Sequence, residues 1–290
     1  MNPIVWAGGT LRRPGEPVVT ATDHGLTVGD GIFETIAVRD GVPFALSRHL
    51  ARLEYSADRI GLSGPDPAQV RGAVAEVLEA GEGTLTRIRV TVTSGDGPMG
   101  SARGAGPATL IVTGVAAPRP RVCHAVRAPW KRNERSALAG VKSTSYAENA
   151  VMVEYARSRG ADEAIIANTY GNLCEGTATN VFVEREGEIV TPPLASGCLA
   201  GITRGLALEW AVRAALPIRV AAPGELTMAA LDEAIAGTAH VAVTSSTRGV
   251  QHVSSLDGVE LEPGPLLRKL SAVYEMAAEK DRDPAVPQRR

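Results

Sequence analysis

The sequence predicts an α+β fold in two domains, and three observations carry that prediction. Hairpin signals and amphipathic helices follow one another irregularly, without the steady strand–helix alternation of a parallel α/β sheet. The chain has 290 residues, more than one ordinary domain of about 100–200 residues. A two-proline stretch, Ala116 to Pro120, falls where the pattern changes. The reading is therefore an N-terminal α+β domain over 1–116, a linker over 117–121, and a larger C-terminal domain over 122–280. A tail over 281–290, with two prolines and alternating charge, is expected to be disordered.

The elements follow in order. Ile4–Ala7 reads as a short strand before a Gly8-Gly9 turn. Strands over 31–38 and 42–46 flank Asp40-Gly41, a strong hairpin signal. Leu46, Leu50, Leu53, Ala57 and Ile60 step by four and three, which predicts a helix from Ser47 to Ile60 with one apolar face. A second helix is expected over 67–80, and strands over 85–93 and 108–115, separated by a glycine-rich loop over 94–107. Beyond the linker, 122–128 reads as a strand. Ser145 followed by Glu148 has the spacing of a capping box, opening a helix that runs to about Arg159 and stops at Gly160. A strand is expected over 163–167, a hairpin over 181–190 around Glu186-Gly187, a helix from about Thr203 to before Pro217, a buried strand over 241–244, and a last helix over 264–279.

Composition removes several function classes. The 30 Lys and Arg against 32 Asp and Glu leave a net charge of −2, without the electrostatic footprint of a nucleic-acid binder. No run approaches the roughly 18 consecutive apolar residues of a membrane span, and the N-terminal residues do not read as a signal peptide. Three cysteines, an odd number without a CxxC pair, argue against a disulfide framework or zinc ribbon and for a cytoplasmic setting. The five histidines form neither an HxxxH nor an HExxH pair, so no metal is expected. The GxSxG elbow, the Walker A loop and the GxGxxG fingerprint are absent.

The informative positions are scattered from residue 142 onward. Lys142 sits directly before a capped helix, and by itself reads as a solvated loop lysine. Glu175 precedes a glycine. Thr203 stands at a helix start after Gly201-Ile202, and Thr244, Ser245, Ser246 and Thr247 cluster after a strand. Helix N-termini and hydroxyl clusters of this kind bind phosphate. A lysine amine, an acid and a hydroxyl-rich phosphate cup are together what pyridoxal phosphate requires.

Five phrases, in order, resemble the class IV (fold-type IV) pyridoxal-phosphate enzymes, which include branched-chain aminotransferases, D-amino-acid transaminases and aminodeoxychorismate lyases. They are the run from Asp23 to Glu34, the run from His49 to Leu53 with Arg52, Lys142 with its flanks, the run from Glu175 to Phe182, and Gly201 to Arg204. The resemblance spans about Ile4 to Ala277. It implies two domains with pyridoxal 5′-phosphate between them, a homodimer, and a role for each matching residue. Lys142 carries the cofactor through a Schiff base and then acts as general base and acid. Glu175 pairs with the pyridine nitrogen, keeping the ring protonated and electron-accepting. Arg52, Ile202, Thr203, Ser245 and Ser246 hold the phosphate. Tyr146 matches a tyrosine that contacts the cofactor's phenolic oxygen, in a register shifted by one residue, and core packing is its other reading.

The resemblance leaves the reaction open. The 94–107 loop lacks the Arg-x-His of the D-amino-acid enzymes, and Phe33 stands where they carry tyrosine. The loop and the overall length are most like the lyases, which implies conversion of 4-amino-4-deoxychorismate to 4-aminobenzoate and pyruvate. Phe33, Met99 and Arg103 are then the candidate substrate contacts. The alternative is amino-group transfer between an amino acid and a 2-keto acid, of D-amino-acid or branched-chain type, and a remoter one is an inactive cofactor-binding relative.

Overall fold

The computed structural model describes residues 3–287. The described chain forms two compact units. The first comprises the residues up to Pro118, Val141–Tyr146, and the residues from Asp281 on; the second comprises Arg119–Gly140 and Ala147–Lys280.

In the first unit the strands are β1 (Ile4–Ala7), β2 (Thr10–Arg12), β3 (Gly31–Arg39), β4 (Val42–Pro43), β5 (Arg87–Thr93) and β6 (Thr109–Val115). The helices are α1 (His24–Thr27), α2 (Leu46–Ile60) and α3 (Pro67–Ala80). The strands make one antiparallel sheet in the order β2-β1-β6-β5-β3-β4. Ile32 and Ile36 of β3, Ile88, Val90 and Val92 of β5, and Leu110 and Val112 of β6 are buried with Leu46, Leu50, Leu53 and Ala57 of α2 and Val70, Val74 and Val77 of α3. The period of two in the strands and the four-three step in the helices thus meet in one core.

Two segments belong to this unit that the sequence reading placed elsewhere. Val141–Tyr146 joins the start of β3: Phe33 N–H donates to the Lys142 carbonyl at 2.9 Å, Thr144 N–H donates to the Gly31 carbonyl at 2.8 Å, and Ile32 bridges Ser143. A cut at the linker alone therefore misses this strip, whose backbone groups find their partners on a strand more than a hundred residues upstream in sequence. The tail expected to be disordered instead caps α2. Ala45, before that helix, is in the left-handed conformation and offers no side-chain cap. Asp283 accepts from the Ser47 N–H at 2.8 Å and from its hydroxyl at 2.6 Å, and Arg48 donates to the Pro284 carbonyl. Residues 288–290 of that tail lie outside the described residues.

The second unit holds β7 (His124–Arg132), α4 (Ala147–Arg157), β8 (Glu163–Asn168), β9 (Leu173–Gly176), β10 (Asn180–Arg185), β11 (Glu188–Thr191), a 3-10 turn at Leu194–Ser196, α5 (Ile202–Arg213), β12 (Ile218–Val220), α6 (Ala229–Ile235), β13 (His240–Ser245), β14 (Gly249–His252), β15 (Ser255–Leu256), β16 (Val259–Glu260) and α7 (Pro265–Lys280). Its strands make two mixed sheets, in the orders β12-β11-β10-β13-β14 and β16-β15-β7-β8-β9. Strand β8 is buried along its whole length, as a central strand covered on both faces must be. The capping box before α4 is not formed. The Ser145 hydroxyl donates to the Gly29 carbonyl, and the Glu148 carboxylate takes Arg132. The helix ends at Arg157, two residues earlier than the spacing suggests.

Among the described residues no helix is long and apolar enough to cross a membrane, and no group of three or more His, Cys, Asp and Glu is placed to hold a metal ion. All three cysteines are buried and unpaired with one another.

Candidate functional site

The candidate residues fall in both units, each set positioned by the elements of its own unit. In the first, strand alternation sorts β3 into two faces. Glu34 shares a face with Ile32 and Ile36 and so carries a carboxylate into the core, fully buried. Its charge is met from α2, where His49 and Arg52 lie one turn apart. Arg52 donates to both Glu34 oxygens, at 2.8 and 2.7 Å, and His49 Nδ1 lies 2.7 Å from Oε2. Burial alone would raise the Glu34 carboxyl; the positive charge and hydrogen bonds of Arg52, with His49, outweigh burial and hold it at about 2. Burial keeps His49 below its ordinary value despite Glu34.

The opposite face of β3 carries Phe33. Its ring is 3% exposed and organises the neighbourhood. The Lys142 Nζ lies 4.3 Å from the ring centroid, and the Tyr146 ring meets Phe33 edge-on at 5.2 Å. Across the ladder Phe33 pairs with Thr91, and Thr35 with Arg89. Arg89 lies with its guanidinium carbon 3.8 Å from the Phe33 centroid and donates to Thr91 Oγ1 at 3.1 Å. One sheet face thus presents an amine, a guanidinium, a phenol and hydroxyls around a single aromatic ring. Sequence reasoning missed Arg89, although the alternation Arg87, Arg89, Thr91 against Ile88, Val90, Val92 already separates a polar face from a core face.

The two loop candidates sit differently. Arg103 is committed to Asp30, at 2.6 and 2.7 Å, and to the carbonyls of Ile60 and Gly61. Its charge anchors the 94–107 loop. Met99 is 95% exposed and the structure does not bring it to the other candidates of this unit.

In the second unit Glu175 is the penultimate residue of β9, paired with Ile166 of the neighbouring strand β8. Its Oε2 accepts from the Leu199 N–H at 2.9 Å, and Arg132 Nε lies 3.4 Å from Oε1. The turn that follows is fixed by a second, deeply buried carboxylate, Glu163, which accepts from the Thr177 hydroxyl and the Ala178 N–H. A side chain at Gly176 would come within 2.3 Å of Thr179 Oγ1 and 2.7 Å of Glu163, so only glycine lets the turn close on that acid. Burial raises the Glu163 carboxyl above its usual range.

Helix α5 begins at Ile202 and Thr203 with Gly201 as an N-cap that supplies no side-chain hydrogen bond. The first N–H groups of a helix have no partner within it, and together with the helix dipole they favour an anion. A Cβ at Gly201 would lie 1.9 Å from Asn180 Oδ1. Asn180 donates to the Leu199 carbonyl at 2.8 Å and pairs in register with Thr244 at the end of β13. Thr244 Oγ1 is buried with no hydrogen-bond partner. Ser245 follows, its hydroxyl accepting from the Arg248 N–H at 3.2 Å, then Ser246 in the turn after β13. Open helix amides, a backbone approach that a Cβ would block and an orphaned buried hydroxyl are the donor set a phosphate needs, so these residues fit the phosphate of a cofactor.

The comparisons with known proteins agree with this chemistry. The family model for class IV amino-transferases matches residues 31–256, and the chain belongs to that family. Enzymes of the family use pyridoxal 5′-phosphate. The chain is 28% identical over 274 residues to a D-alanine aminotransferase of Bacillus licheniformis, covering 92% of this chain and 94% of that one. It is 28% identical over 239 residues to a bifunctional aminodeoxychorismate lyase / D-amino acid transaminase of Mycobacterium tuberculosis, covering 71% and 77%. The structure of a hypothetical aminotransferase from M. tuberculosis in its PLP-bound form superposes with a TM-score of 0.82 at 26% identity, over 96% of this chain and all of that one. The chain is thus an enzyme with the α+β fold of the fold-type IV aminotransferases.

Proposed function

We propose that this enzyme moves an amino group between a carboxylate-bearing primary amine and a 2-keto acid. The observation that carries the reading is the Phe33 face, where one amine, Lys142, and one guanidinium, Arg89, flank the same ring. Bound pyridoxal phosphate supplies an aldehyde for the substrate amine and a ring that accepts electron density from the neighbouring carbon. The Lys142 Nζ then takes the proton from the amine-bearing carbon and returns it, as general base and acid. Arg89 holds the substrate carboxylate in charge-assisted hydrogen bonds. Glu175, ionised, holds a proton at the pyridine nitrogen. Ile202, Thr203, Ser245 and Ser246, with Arg52, hold the phosphate, and the Tyr146 hydroxyl supports the phenolic oxygen.

Cleavage of 4-amino-4-deoxychorismate to 4-aminobenzoate and pyruvate is the second reading. It is favoured by the 94–107 loop, whose phrase is most like the lyases, and by the bifunctional relative. Its first proton transfer uses the same Lys142. Supplying aminodeoxychorismate, and separately D- and L-amino acids with 2-keto acids, separates the two. 4-Aminobenzoate with pyruvate and no amine exchange would reverse their order. Lys142→Ala is expected to abolish both activities and the visible cofactor band; a band and turnover that survive it would remove the lysine from its role. The resemblance also carries a cytoplasmic homodimer. Sedimentation is expected to give twice the chain's 30.2 kDa, and a monomer would set the dimer aside.

A further inference from the structure

The irregularities of the second unit converge on one place. Strand β7 runs parallel to β8, but its register shifts between Arg127 and Lys131, and the β8–β9 register shifts between Ile166 and Ala167. The first shift contains Pro129, which has no N–H to give the ladder. Bulges re-aim side chains next to active sites. Here they bring together Arg132, just beyond the first shift and paired with Asn168, and Glu175, paired with Ile166 at the second.

Arg132 is held at two points. Its NH1 is ion-paired with Glu148 in the first turn of α4, and its Nε lies 3.4 Å from Glu175 Oε1. That Nε–H is buried and makes no hydrogen bond, an orphaned donor beside a carboxylate. The carboxylate's other oxygen is fixed by Leu199 N–H. We propose that Arg132 is a positioning residue for Glu175, its guanidinium steering the carboxylate toward the pyridine nitrogen of the cofactor. The inference rests on the reading that Glu175 pairs with that nitrogen. Glu148 orients the guanidinium, and the charge of Arg132 acts on the cofactor only through Glu175.

The test compares two cofactors on the full chain stripped of its own. One is pyridoxal phosphate, and the other its 1-deaza analogue, which has carbon in place of the pyridine nitrogen. The readout is the ratio of the two dissociation constants from absorbance titrations. The wild-type chain is expected to favour pyridoxal phosphate, and Glu175→Gln to bring the ratio near one. If Glu175→Gln leaves the ratio unchanged, the reading of Glu175 fails and the inference goes with it. Arg132→Gln is expected to lower the ratio about tenfold, the effect of one well-placed charge interaction, and to add nothing when combined with Glu175→Gln. Arg132→Lys, which keeps the charge, is expected to recover most of the loss. A Gln variant that weakens both cofactors equally, or neither, overturns the inference while the Glu175 reading stands. A Lys variant no better than Gln also overturns it. If Arg132→Gln does not fold, Glu148→Gln carries the test. It frees the far end of the guanidinium and is expected to lower the ratio about threefold, and an unchanged ratio overturns the proposal.

Discussion

Glu34 is a residue whose cost and use are both visible. A fully buried carboxylate survives because Arg52 and His49 reach it from the next helix. Its pKa is held at about 2, against an ordinary 4.5. Depressed in the folded chain, it contributes stability that is fully present above pH 4.5 and is lost as the pH falls through 2. The shift corresponds to about 3 kcal/mol at 1.36 kcal/mol per unit. Denaturant unfolding between pH 5 and 2.5 is expected to show that slope in the wild-type chain and to lose most of it in Glu34→Gln. On the proposed role of Arg89 as the grip on the substrate carboxylate, Arg89→Ala removes a charged hydrogen bond worth about 1.5–3 kcal/mol. It is expected to lower kcat/KM by roughly ten- to a hundredfold, with the melting temperature little changed. The candidate lysine and acid, Lys142 and Glu175, were legible because they lie in continuous phrases. Arg89 and Arg132 were not legible there. Arg89 meets Phe33 of the neighbouring strand and Arg132 meets Glu175 from two strands away, and no local pattern in the chain encodes which strands will lie alongside.

At the scale of elements, the long periodic segments were legible and the short ones were not. Helices α2 and α3 and strands β3, β5 and β6 stand within two residues of where the periodicity puts them, because each buries one face against a large core. Strands β9, β12, β15 and β16, of two to four residues, are too short to show a period. The seven-residue α6 gives barely two turns. The start of α5 was legible as a helix start, but the close approach of Asn180 to Gly201 was not, because sequence spacing does not show it. Gly201→Ala puts a methyl group against Asn180 and displaces the first amides of the helix. It is expected to weaken pyridoxal phosphate binding at least tenfold, from the loss of a helix-terminus anion site, in a titration followed at the cofactor band. Unchanged affinity would remove α5 from the phosphate site.

At the scale of the molecule, two units were expected from length and the linker. The strip Val141–Tyr146 and the tail were assigned elsewhere because the partners they find are remote in sequence. Ser47 and Asp283 are 236 positions apart. Asp283→Ala removes the only side-chain acceptor seen at the α2 N-terminus among the described residues, and caps of this kind contribute about 1 kcal/mol. The melting temperature is expected to fall by a few degrees.

The borrowed cap on α2 has a consequence for the order of events in the cell. A ribosome adding about 5–20 residues each second delivers β1 through β6 well before Val141–Tyr146, and those well before Asp283. Until then the start of β3 lacks its Val141–Tyr146 partner and the α2 N-terminus lacks its Asp283 acceptor. Its sheet edge and the α2 cap are completed only once the second unit has been made, so order of synthesis and order of completion run opposite ways.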